Sequence, residues 1–336
     1  MWQRGFSPTS SGESDPETEP DRIQRDARWG DGSSAMTFAR VWKRAKACVG
    51  PDARSMQLTA TPPVVLSLSS HPARRDHLHK ALRELLRLDY PALTIAVYLS
   101  ISPSSRVSRM AARDSRLKIH RVDRDLGPAT KFLYALDAYS DRAIVICDDD
   151  HRYTSGWLHA MVAWSHELGG AACVACTGVV ESRTIDPKDP DLVDALESIT
   201  DISAEGVEVY QKLRGNRLRG DPVPILWPQG YAGYWLPPGL GRRLDPFRHY
   251  TECLELLPAD QLRDMNGRVP DDLLMGAALH RLGVQQFVVP HGQVPQPMKR
   301  ATKLESIGAL QRLFFKRHGM SMSMATYLAL RGKGWL

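Results

Sequence analysis

The chain has 336 residues, 43% of them apolar and 24% charged, with a net charge of +6. That apolar content is too high for a wholly disordered chain, and no stretch approaches the roughly 18–20 apolar residues of a membrane span. The basic excess is thinly spread without a clustered Lys/Arg block, which argues against a nucleic-acid surface.

Residues 1–60, rich in Ser, Pro, Asp, Glu and Gly, read as a disordered tail. Within it "TFARVWKRAKACV" (37–49) has the make-up of a short basic amphipathic helix, a candidate for peripheral membrane contact. The polar start lacks the apolar segment of a secretory leader, and the five cysteines are odd in number; both fit a cytoplasmic setting. Order begins at "PPVVLSLSS" (62–70), an apolar run of strand length. "RRDHLHKALRELLRL" (74–88) spaces its leucines as a helix, and "LTIAVYLS" (93–100) reads as a second buried strand. A short helix (105–114) and an alternating strand (117–123) follow. Then comes a helix over 127–139 with Pro128 in its first turn, where a missing N–H costs nothing. "AIVIC" (143–147) is the fourth strand, and 155–168 the next helix.

"AACVACTGVV" (171–180) reads as one buried strand; the CxxC spacing of Cys173 and Cys176 leaves zinc or redox chemistry as the other reading, though no second pair lies nearby. Residues 190–199 read as a helix and 205–240, rich in Gly, Pro and aromatics, as loops near a pocket. "PDDLLMGAALHRLG" (270–283) is a helix opening on two acids and closing at Gly283, and 284–290 is a last strand. Strand–helix–strand units of this spacing predict an α/β fold, a mostly parallel sheet with helices on both faces, whose ligands bind beyond the carboxyl ends of the strands.

"CDDD" (147–150) stands at such an end. Three adjacent carboxylates repel one another, and a divalent cation, Mn2+ or Mg2+, relieves that repulsion through oxygen ligands. In extended backbone Asp148 and Asp150 converge while Asp149 points elsewhere. A solvated turn is the plainer explanation, and the apolar run before it weighs against that. The "GPATK" turn offers Gly127 for tight backbone geometry and Lys131 on the first helical turn as a charge for a diphosphate.

A buried strand ending in "DDD" after "DLGPATK", then "QGYAGYWLPPG" (229–239), then "PDDLLMGAALHRLG", resembles in order the motifs of GT-A (Rossmann-like) glycosyltransferases close to family 2. The resemblance spans about 64–292 and implies a single catalytic domain over 61–300, with 301–336 as a C-terminal helical extension. It implies that Asp148 and Asp150 bind the metal and the nucleotide sugar, Asp148 towards the ribose and Asp150 towards the cation. His291, in "VVPHG", would be a third metal ligand. Asp123 and Asp125 fall where such enzymes touch the nucleoside, unless they are ordinary loop acids; Gly127, Lys131 and Ser69 join them on the donor side. Gly230, Tyr231, Gly233, Tyr234 and Trp235 would form the acceptor segment, although core packing explains Tyr234 and Trp235 as well. Asp272 would be the general base and Asp271 a capping or acceptor-binding partner.

The activity implied is a metal-dependent, inverting transfer from a nucleotide-diphosphate sugar, UDP favoured over GDP, to a glycan, protein or lipid hydroxyl. A sugar nucleotidylyltransferase is disfavoured by "LSLSSHPARR", which replaces the glycine-rich segment expected after the first strand. A non-catalytic binder on a degenerate scaffold would lack one of the acids, and all are present.

Overall fold

A computed structural model of the chain describes residues 62–197, 210–266, 268–291, 295–298 and 305–336. The expected tail 1–60, with its basic segment 37–49, lies outside the described residues.

The leading half is a repeated strand–helix unit. β1 (Val64–Ser69), α1 (Arg75–Leu85), β2 (Leu93–Leu99), α2 (Ser105–Arg113), β3 (Leu117–Arg121), α3 (Thr130–Ala138) and β4 (Ala143–Ile146) follow one another. β1 pairs in parallel with both β2 and β4, and β2 with β3. These runs lack a polar face because both sides of the sheet are covered. Alternate residues separate cleanly: Val65, Ala96, Ile144 and Ile146 pack with α3, whereas Val64, Leu66, Ile95, Val97 and Val145 pack with α1, α2 and the later helix α4 (Ser155–Glu167). Period-two geometry thus sorts a continuous apolar run into two cores.

The second half extends this sheet and adds another. After β5 (His151–Arg152) come β6 (Cys173–Ala175), β7 (Thr177–Glu181), β8 (Leu196–Glu197), β9 (Tyr210–Arg214), β10 (Val223–Pro224), β11 (Trp227–Pro228) and β12 (Tyr234–Leu236). Helices α5 (Pro246–Glu255) and α6 (Asp271–Arg281) lead to β13 (Gln286–Val288), β14 (Gln296–Pro297), α7 (Glu305–His318) and α8 (Met322–Gly332). The main sheet has the order β10-β13-β6-β12-β4-β1-β2-β3, and a four-stranded sheet the order β11-β7-β9-β8. β12 enters antiparallel between β4 and β6, so the sheet is mixed though mostly parallel.

Three expectations are corrected. The run 171–180 is two strands in two different sheets, broken at Cys176, whose carbonyl accepts from Gly215 N–H (2.9 Å). Segment 205–240 contains the whole of β9 to β12. The helix expected over 190–199 ends at Ala195, where β8 begins.

α6 carries the paired acids at its start and is buried along most of its length, Leu273 through Leu279 included. It lies against β11 because residue 276 is glycine: a Cβ there would stand 2.4 Å from Trp227 Cβ. On the same side, Phe314 of α7 and Met324, Tyr327 and Leu330 of α8 are buried within the α6 core cluster. Gly276→Ala is expected to destabilise the fold by about 1–3 kcal/mol through overpacking. Urea denaturation checks it; an unchanged midpoint would show that α6 can move off β11 freely.

Candidate active site

A cleft of about 310 Å3 opens at the carboxyl ends of the parallel strands, lined by residues of the loops after β1, β3 and β4, by α3, and by the start of α6. β4 stays in register with β1 through Ile146, and Cys147 N–H donates to Ser67 O (2.9 Å). Beyond it the chain leaves the sheet. The Asp148 N–H donates to the Tyr153 hydroxyl (2.8 Å), which itself donates to Tyr231 O (3.2 Å), so the acidic turn is tied to the segment before β12.

The three aspartates part as alternation predicts. Asp149 is buried and turns to the loop after β1, accepting from Ser70 Oγ (2.5 Å) and Arg74 Nη1 (2.7 Å). Asp148 and Asp150 converge with His151, each offering a ligand atom within 4.8 Å of the others. Two carboxylates and an imidazole suit a hard divalent cation such as Mn2+ or Mg2+. His291 is not brought there. It is buried behind the site, its N–H on Gly215 O (3.0 Å) and its ring Nε2 3.3 Å from Trp157 O.

Lys131 is the hub. Only 4% exposed on the first turn of α3, it meets Asp148 Oδ1 at 2.6 Å and Asp271 Oδ2 at 3.1 Å. Burial works against its charge, but Asp148, Asp271 and Asp272 together raise its pKa well above the usual lysine value. Lys131 lines the cleft, as a donor-side residue would, and joins the acids of two separate motifs. Asp272 Oδ1 accepts from Gly230 N–H (3.0 Å), and a Cβ on Gly230 would stand 3.0 Å from that oxygen and 3.1 Å from Lys131 Nζ. A side chain at residue 230 would push that oxygen and the ammonium back by a few tenths of an ångström. Neither acid caps α6, whose N-cap is Pro270 without a side-chain bond, so the capping role expected of Asp271 is corrected.

Burial, then the Asp271 charge beside it, pushes the Asp272 carboxyl well above the carboxylate range, with Lys131 and the Gly230 N–H pulling the other way. Asp149 is raised by burial, which Arg74 and Ser70 offset only in part. Burial also works to raise Asp150, but its bond to His151 and the Arg74 charge bring it below the ordinary value.

Of the other expected residues, Ser69, Asp125, Gly127, Gly230 and Tyr231 line the cleft. Asp125 Oδ1 accepts from Gly127 N–H (2.9 Å), so that donor is spent on the protein. Asp123 is exposed and outside the cleft lining. Tyr234 and Trp235 are core residues of β12, and Gly233, at φ +80°, is pressed against Trp157; these three leave the acceptor set. Sequence reasoning missed Ser70, His71, Arg74 and Arg268, which line the cleft, and His151. Within "SSHPARR" the sequence marks only Ser69 as a site residue and places Arg74 at the start of a helix; the position of this segment after a parallel strand is the available signal. The buried Cys173 and Cys176 join no metal-ligand cluster among the described residues, and burial pushes the Cys176 thiol up to about 12.

No protein-family model and no curated protein matches the chain. Among solved structures, the mannosyltransferase PcManGT from Pyrobaculum calidifontis, in complex with GDP-Man and Mn2+, is similar over 90% of this chain and 84% of its own, at 16% identity and a TM-score of 0.43. The chemistry is therefore read from the cleft's own side chains.

Removing the hub leaves Asp148 and Asp271 without their counter-charge. Lys131→Met is expected to cost about 3–5 kcal/mol of stability near neutral pH. Urea denaturation at pH 7 checks this; an unchanged midpoint would show that the two acids keep their places without the ammonium.

Proposed function

We propose that the protein is a metal-dependent glycosyltransferase that moves a sugar, with inversion, from a nucleotide-diphosphate sugar, UDP favoured, to a hydroxyl of a glycan, protein or lipid acceptor. The observation that carries this reading is the double contact of Lys131 with Asp148 and Asp271, which draws a candidate cation-binding cluster and a half-buried proton acceptor together at one cleft. Separate patches of acid would not support it.

A divalent cation held by Asp148, Asp150 and His151 would neutralise the departing diphosphate. Ser69 and Asp125, on the same wall, contact the donor, and Tyr231 and Gly230 face the acceptor. The acceptor oxygen bonds to the anomeric carbon as the bond to the diphosphate oxygen breaks. The electron pair leaves with the diphosphate, and the hydroxyl proton passes to Asp272. A carboxyl raised by burial and by Asp271 is a stronger base than an exposed aspartate, which suits that task. Lys131 holds Asp271 and Asp148 in place while the proton moves.

The test is a thermal-shift titration of the full chain with UDP- and GDP-sugars, with and without Mn2+. Native-state binding raises stability by mass action. A shift that needs one nucleotide together with the metal supports the reading and names the base; no shift with any pair overturns it. Asp150→Asn is expected to lower turnover by on the order of 100-fold or more while leaving the melt near that of the parent.

The pH profile tests the base. Activity requires ionised Asp272, so kcat/KM should rise with pH through its elevated pKa. Asp271→Asn removes a charge that raises it and should move that limb to lower pH. A limb that stays in place assigns the base elsewhere.

A further inference from the structure

The carboxylates best placed to hold a cation are already engaged by protein groups. Asp148 Oδ1 accepts from Lys131, which Asp271 holds from its other side. Asp150 faces His151 Nδ1 through Oδ1 (2.7 Å) and accepts from Arg74 Nη1 through Oδ2 (3.0 Å). Lys131 is locked in place by burial and by its two acids. Arg74 is held differently. A single nitrogen, Nη1, serves both Asp149 and Asp150, and its Nε is buried without a partner. A guanidinium fits carboxylate or phosphate through two parallel N–H bonds, and here that fork is only partly used. Arg74 also lines the cleft, within reach of whatever anion enters it.

We propose that Arg74 stands in the cation's place on Asp150 and exchanges that carboxylate for the donor's diphosphate when the donor binds. The inference rests on the metal-dependent, diphosphate-donor reading above. A divalent cation arriving alone must take Asp150 from a permanently charged arginine. With a diphosphate present, Arg74 moves its free N–H groups onto phosphate oxygens, and Asp150 turns to the cation. Cation and nucleotide diphosphate therefore bind with positive coupling, each raising the other's affinity by the same factor. Asp149 is the pivot: bonded to Ser70 Oγ (2.5 Å), it keeps hold of Arg74 Nη1 throughout the exchange. This gives a role to the one aspartate of the three that does not face the cation.

The experiment is an EPR titration of Mn2+ into the full chain, alone and with UDP or GDP present. For the parent, nucleotide should tighten Mn2+ binding on the order of 10-fold or more. Arg74→Gln should bind Mn2+ without nucleotide roughly 5–10-fold more tightly than the parent and lose a similar factor of coupling. Arg268→Gln is the control for the general field of the cleft: Arg268 lines it but bonds to His71 Nε2 through Nη2 (3.1 Å) and not to Asp148 or Asp150. It should change Mn2+ affinity less than about 2-fold. Arg74→Lys keeps the charge against Asp149 without the fork, and so serves if the Gln variant does not fold. It should hold the nucleotide-free affinity near the parent's while losing about threefold in coupling.

An unchanged or weakened Mn2+ affinity in folded Arg74→Gln overturns the proposal, as does an equal gain in Arg268→Gln, or full coupling in Arg74→Lys. Parent protein that binds no Mn2+ with or without nucleotide overturns the metal-dependent reading itself, a separate and recognisable failure.

Discussion

A buried ammonium between two carboxylates governs this molecule. Lys131 sits on α3, Asp148 after β4 and Asp271 at the head of α6, so three elements far apart in sequence are pinned at one point. Such an ion cluster gains little net stability over an apolar packing of the same volume, since desolvation consumes much of the attraction. Its effect is positional. Losing any member strands the others as uncompensated charge, so the backbone around it has little freedom to drift. The close approach of Gly230 and the lodging of α6 against β11 at Gly276 both serve this arrangement.

The cleft carries more acid than base: Asp125, Asp148, Asp149, Asp150, Asp271 and Asp272 against Arg74, Lys131 and Arg268. An anionic ligand enters such a place only if positive charge comes with it or protons are taken up. The converging Asp148, Asp150 and His151 are the groups that could hold that positive charge.

Much of this was legible in the sequence, for a physical reason. Strands buried on both faces are written as unbroken apolar runs, so β1, β2 and β4 stood out, and a strand end loaded with acids marks the ligand side of a parallel sheet. The β6–β7 break was hidden because both strands and the corner between them are equally apolar. Strands β8, β10 and β11 have two residues each, too short for any alternation to register. His151 and His291 look alike as letters; only the backbone path shows that one faces the acids and the other a tryptophan carbonyl. Tyr234 and Trp235 look like ligand-stacking aromatics until β12 is found paired on both edges inside the main sheet. Arg74 is marked only by its place after β1, since its partners lie 75 and 76 residues away.

The packing of α8 has a consequence for how the molecule is made. Tyr327 is buried, donates to Glu181 Oε1 (3.0 Å) and accepts from Arg331 Nη1 (2.9 Å), and its neighbours Met324 and Leu330 complete the core that seats α6. During vectorial synthesis α6 leaves the ribosome about fifty residues before α8 does, roughly 2–10 s at ordinary elongation rates. Through that interval α6 has β11, Lys131 and Gly230 to pack against, but the part of its apolar face that α8 covers stays open. The strand–helix half can therefore fold before α8 has emerged, and the core around α6 closes only when α8 docks.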